Sequence, residues 1–164
     1  MSFAQNFVQD RNSWLAVASY LVHPQFDGFF LECQERPNTA CGEFKDTHDI
    51  AVVVLEKPVR ITPATLAPVG LLDDLKKSGD QKGAEFGLVG YGQDETGAAT
   101  GDRRIGYMGF HELKDFWLSV KDIGKGTGCV FDAGGPALYT VGSTEYTVGL
   151  GARFAPTTPV SALT

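Results

Sequence analysis

Apolar residues in this chain come in short runs set off by glycine and proline, a pattern that predicts strands and turns rather than long helices. The most β-rich run is Asp49-Ile50-Ala51-Val52-Val53-Val54-Leu55, bounded by Lys57-Pro58. Its unbroken apolar character predicts a central strand. Ala16 to Val22 alternates Val17, Ser19 and Leu21 against Ala18, Tyr20 and Val22, so both faces are largely apolar, as in a closed or sandwiched sheet. Phe3 to Val8 also reads as a strand, and His23-Pro24 ends the second one because proline cannot donate to a ladder. Leu71, Leu72 and Leu75 fall at helical spacing with Gly79 as a stop, which predicts a turn or two of helix over Leu71 to Lys77. Thr96 to Asp102 reads as a surface loop. Arg103 to Phe110, interrupted by glycine and therefore bent, and Phe116 to Val120 read as further strands.

Composition narrows the class. The 164 residues are 43% hydrophobic with 20 glycines and 8 prolines, enough for one core and one domain. A formal charge of −6 argues against nucleic acid or an anionic membrane as partner, since both reward basic patches. No apolar run approaches about 18 residues, and Met1-Ser2-Phe3 opens without the charged and apolar regions of a signal peptide. Of the three cysteines, Cys33 and Cys41 flank a polar loop that a disulfide between them can close in an oxidising space. No His/Cys/Asp spacing makes a zinc site, and no cofactor is expected. Gly-Lys-Gly-Thr at 124 to 127 fails as a phosphate loop, because a glycine separates Lys125 from Thr127.

The stretch with the most chemistry is Gly126 to Pro136, Gly-Thr-Gly-Cys-Val-Phe-Asp-Ala-Gly-Gly-Pro. Its glycines allow positive φ and close approach, so its amide N–H groups can line a pocket. Asp-Ala-Gly-Gly-Pro at 132 to 136 resembles the Gly-Asp-Ser-Gly-Gly-Pro nucleophile loop of the trypsin/chymotrypsin-like serine proteases, followed as there by a short strand, a polar turn and a Gly-rich strand over Tyr146 to Gly151. A second match lies upstream: Asp-Ile-Ala, a hydrophobic strand and Pro-Val resemble the segment that carries the buried catalytic aspartate in that family, which aligns Asp49 with the triad orienter. Ile61 to Leu66 resembles the connection between two barrels, and Phe86 to Gly92 the strand that opens the second. Residues 14 to 153 follow the family's order, with phrasing closest to its microbial secreted members.

The resemblance implies a chymotrypsin-like, all-β double six-stranded antiparallel barrel: 1–66 a partial first barrel, 67–84 a connector, 85–164 the second. It also implies a secreted serine endopeptidase. The chemistry of that class needs a serine oxygen, a histidine base, an aspartate orienter and two N–H donors for the oxyanion. Here Ala133 stands at the nucleophile position, and a methyl group cannot attack a carbonyl. The histidine belongs about 45 residues or more before Asp49, by the family's usual spacing, and none is there. His48 adjoins Asp49 and at period 2 points to the opposite face of the strand, and His23 and His111 read as surface histidines.

Further departures surround the loop. Phe131 replaces the glycine whose N–H forms half of the oxyanion hole, so a Cβ strains or occludes it. Asp132 matches the carboxylate that pairs with a terminus released by zymogen cleavage, and without an Ile/Val-Gly-Gly start it is expected unpaired, solvated or hydrogen-bonded locally. Cys129 lacks its bridging partner and is expected as a free, buried thiol. Thr127 aligns with the floor of the specificity pocket, where a neutral side chain does not support Lys or Arg specificity, and Gly134 completes the oxyanion loop. The expectation is a protease homologue without peptidase activity, with a peptide-like ligand if any and self-association through an exposed barrel edge. A non-catalytic β-barrel or β-sandwich binding module of other ancestry is the alternative.

Overall fold

The computed structural model describes residues 1–26 and 48–152, together with the backbone of 157–162. The chain divides into two compact units, Met1 with Leu15–Val59 and Ser2–Trp14 with Arg60–Thr164.

In the first unit β1 (Val17–Val22) pairs antiparallel with β2 (Ala51–Leu55), in a register running from Val17↔Leu55 to Val22↔Ala51 with a bulge between Val17 and Ser19. Bonds from the His23 N–H to the Ile50 carbonyl and from the Glu56 N–H to the Ala16 carbonyl extend the ladder at both ends. The sequence predicts β2 as a central strand. Among the described residues it has one strand neighbour, and no residue of this unit is buried. Two strands form one layer, so Tyr20 stays 71% and Val52 56% exposed. Cys33 and Cys41 lie outside the described residues.

The second unit carries the core. Its strands are β3 (Thr65–Leu66), β4 (Glu85–Gly90), β5 (Arg104–Leu113), β6 (Trp117–Lys125), β7 (Pro136–Val141), β8 (Thr144–Gly151) and β9 (Thr157–Ala162). They form one sheet in the order β3-β8-β7-β4-β5-β6-β9, antiparallel throughout except for the short β3–β8 pair. β9 pairs with β6 and also with β8, so the ladder runs from β8 through five strands and returns to it. Phe86 and Leu88 of β4, Met108 and Leu113 of β5, Leu118 and Val120 of β6, Ala137 of β7 and Val148 of β8 are buried together. The molecule is therefore mostly β, with register shifts between β5 and β6 at Tyr107/Met108 and Phe110/Glu112.

Helix α1 (Leu71–Ser78) forms where the leucine spacing places it, and Leu71, Leu72 and Leu75 pack against this core. Asp73 and Asp74 in the first turn and Lys76 and Lys77 in the last suit the helix dipole. Gly79 stops the helix in a left-handed conformation, φ 84°, that costs a glycine nothing. The Lys76 ammonium donates to the Leu113 carbonyl at 3.0 Å and ties helix to sheet. Among the described residues no helix is long and apolar enough to cross a membrane.

Phe3 to Val8 does not form the expected strand. The Asn6 side-chain oxygen accepts the N–H groups of Val8 (3.0 Å) and Gln9 (2.8 Å), which turns the chain and leaves one isolated bridge, Asn6 to Asp102. The segment is instead stapled to the loop before β5. Phe7 donates to the Gly101 carbonyl, Arg103 to the Gln5 carbonyl, the Gln5 amide to the Arg103 carbonyl, and the Arg103 guanidinium to the Phe3 carbonyl.

Candidate functional site

The Gly126 to Pro136 turn is held from inside by one carboxylate. Asp132 Oδ1 accepts the Gly92 N–H at 2.7 Å and Oδ2 the Cys129 N–H at 2.8 Å, while the Asp132 N–H returns to the Cys129 carbonyl at 3.1 Å. Of the expected states of Asp132, the structure selects local hydrogen bonding. The arrangement dictates glycine on the neighbouring strand, since a Cβ at Gly90 or Gly92 would land on the Asp132 carboxylate. Beyond Asp132, the Gly134 N–H donates to the Gly151 carbonyl (2.6 Å) and the Gly151 N–H to the Gly135 carbonyl (2.8 Å), which pins the turn to the end of β8.

Phe131 sits at φ 75°, in the left-handed region that favours glycine, and its ring is 72% exposed. The backbone thus keeps a glycine conformation while carrying a large side chain, a strain of about 1–2 kcal/mol. Neither the Phe131 nor the Ala133 N–H donates to an acceptor among the described residues. Phe131→Gly relieves the strain and loses little burial, so it is expected to stabilise by about 0.5–1 kcal/mol, read as a rise of a few degrees in Tm by circular dichroism. An unchanged or lowered Tm contradicts this.

Thr127, Cys129 and Asp132 line one cleft of about 450 Å³ with the end of β4 and the start of β5; Ala133 and Phe131 stay exposed beside it. Cys129 is a free thiol, half-buried rather than buried. The cleft is more acidic than Thr127 alone suggests, because Asp94, Glu95 and Asp122 also line it against, among the described residues, a single cation, Arg104. These residues come from three separate segments, so no local motif announces them. Asp94 is held below the ordinary carboxylate range, first by the Thr96 hydroxyl and then by the Ala98 N–H, with burial opposing and Arg104 adding a smaller pull. Arg104 reaches Asp94 at 3.7 Å and Asp102 at 3.6 Å. Asp102 is lowered too, by the Thr100 hydroxyl and the Asn6 amide.

Asp49 belongs to the first unit, where it is exposed just ahead of β2 rather than buried. His48 also precedes the strand, at φ 51°, so period-2 alternation does not set its direction. It stacks on His23 with ring centroids 4.6 Å apart and planes 24° from parallel, a pairing across the strand ends that the sequence order does not reveal. The Gln25 N–H donates to His23 Nδ1 at 3.2 Å. His111 is exposed on β5. No group of three or more metal-binding side chains occurs among the described residues.

What fold and turn define together is a mostly β protein with a Gly-rich turn clamped by Asp132 beside an acidic cleft. No protein-family model matches the chain, and no curated protein matches it.

Proposed function

We propose that this chain is a secreted, trypsin/chymotrypsin-like serine endopeptidase homologue that binds peptide without cleaving it. The observation that carries the reading is the Asp132-clamped turn, which keeps Phe131 in the conformation of the glycine it replaces and leaves the Phe131 and Ala133 N–H groups without internal acceptors. Two such N–H groups can receive a peptide carbonyl whether or not a nucleophile stands beside them. The ladder that returns from β9 to β8 supports reading 85–164 as the second of two six-stranded barrels, with Leu15–Val59 as the remnant of the first. Asp49 is the orienter in this reading, Ala133 the vacated nucleophile position, and Thr127 the floor of the pocket for one peptide side chain.

Fluorescence anisotropy with labelled peptides from a casein digest tests it. Binding that leaves the peptides intact, and that is lost in Thr127→Trp as the indole fills the cleft, is the expected result. Cleavage by the wild-type protein or absence of binding sinks the proposal, and binding indifferent to Thr127→Trp sinks it in favour of an unrelated β binding module.

Restoring the serine does not restore catalysis. Without a base the hydroxyl stays protonated and weakly nucleophilic, and members of a catalytic unit restored singly return little of its effect. Ala133→Ser is therefore expected to show no fluorophosphonate labelling and no esterase turnover. Robust labelling, abolished again by Asp49→Ala, would reveal a base among His23, His48 and His111.

A further inference from the structure

We propose that a hollow formed by Phe7, Val8, Arg11 and Trp14 binds small free carboxylic acids with an aromatic or branched apolar body. The hollow measures about 320 Å³, at the lower end of the range for small-molecule sites. It lies within the second unit, where Phe7 and Val8 end the segment Phe3 to Val8 that the sequence predicts as a strand and that turns instead, and Arg11 and Trp14 belong to and follow the 3₁₀ turn Arg11–Ser13.

Its walls are fixed in advance. The Trp14 indole N–H donates to the Phe7 carbonyl at 2.9 Å, which sets the ring's orientation although 60% of the residue is exposed. Phe7 packs edge-on against Trp14, at 6.0 Å between centroids, and against Tyr91, at 5.4 Å. The Tyr91 hydroxyl is anchored in turn on the Ala4 carbonyl at 2.6 Å. Val8 is seated against Gly101, where a Cβ would strike its side chain. An apolar ligand here meets rings that lose little freedom on binding, the condition under which a small contact area gives measurable affinity.

Charge selects the ligand class. The Trp14 N–H is already used, so the hollow's polar demand falls on Arg11. Its guanidinium makes no hydrogen bond or ion pair with any described residue, whereas Arg103 and Arg104 spend theirs on the Phe3 carbonyl, Thr100 and two aspartates. Among the described residues no carboxylate lines the hollow, and Asp10, next in sequence to Arg11, is not part of its wall. An unpaired guanidinium at the rim of an aromatic wall fits a carboxylate, bound through two parallel N–H groups, with its apolar body against the rings.

The two tryptophans make the test direct, because Trp117 is 2% exposed and Trp14 alone is open to a quencher. Phenylacetate at millimolar concentration is expected to cut acrylamide quenching about twofold, while phenylacetamide, equal in shape but neutral, protects at least about tenfold less well. Trp14→Phe abolishes the response and thereby assigns it, and Arg11→Gln weakens phenylacetate to the level of the amide. The Trp14 indole N–H resonance provides a second readout, shifting with phenylacetate and not with phenylacetamide. Lack of protection, equal protection by acid and amide, or an unaffected Arg11→Gln overturns the proposal. Tighter binding of N-acetyl-Gly-Phe than of phenylacetate by tenfold or more overturns it too, by making a peptide end the ligand.

Discussion

Asp132→Ala melts well below the wild-type protein. The carboxylate accepts two backbone N–H groups, of Gly92 and Cys129, and Gly92 is buried. Hydrogen bonds to a charged group contribute about 1.5–3 kcal/mol each, and a buried donor left without an acceptor costs its desolvation. Discounted for partial exposure, the loss is about 2–4 kcal/mol, a fall of about 5–15 °C in Tm for a chain of this size. A double-mutant cycle sharpens the claim. Gly90→Ala is destabilising by itself because its Cβ would occupy the position of the Asp132 carboxylate, and it costs clearly less once Asp132 is alanine, when only the Cβ of residue 132, 3.0 Å away, still crowds it. Additive effects in that cycle, measured by thermal or urea unfolding, would mean that the carboxylate does not hold the turn against β4.

Phe86→Ala is the most damaging change expected in the core. Phe86 is fully buried, and its ring stacks on Tyr139 at 5.1 Å with planes 30° apart. Truncating a buried phenylalanine costs about 3–5 kcal/mol through lost transfer energy and the cavity left behind. A second consequence falls on Tyr139, whose phenol is raised above its ordinary value chiefly by burial and secondarily by Asp80. Opening the cavity to water weakens the larger cause, so the Tyr139 titration is expected to move back down, as read by ultraviolet difference spectra against Tyr139→Phe. A small stability loss with an unmoved titration would place Phe86 outside the cooperative core.

Those elements whose signal is local were legible in the sequence. Leu71, Leu72 and Leu75 with Gly79 define α1 to within one residue, since spacing and stop lie inside one short window. Phe86 to Gly92, Arg103 to Phe110 and Phe116 to Val120 locate β4, β5 and β6, although β5 and β6 run further than the apolar pattern does. Phe3 to Val8 misled because its apolar residues argue for a ladder while the Asn6 side chain supplies the bonds of a turn. β9 has a weak apolar pattern and is stabilised by pairing with β6 and β8, which are distant in sequence. At the site, the glycine requirement at Phe131 was readable from the motif. The acidic lining was not, because Asp94, Glu95 and Asp122 meet only through the fold.

Stapling of Ser2–Trp14 to the loop at 100–103 also bears on how the protein emerges during synthesis. The first segment of the larger unit leaves the ribosome with its partners about 90 residues behind it, the span from Trp14 to Arg103. At roughly 5–20 residues per second that is about 5–18 seconds during which Phe7 and Trp14 are exposed without their docking surface. β9 arrives later still, and until it joins β6 to β8 both of those strands present open edges. Slower translation lengthens both windows, so yield of soluble protein is governed by elongation rate and chaperone supply as well as by the stability of the finished fold.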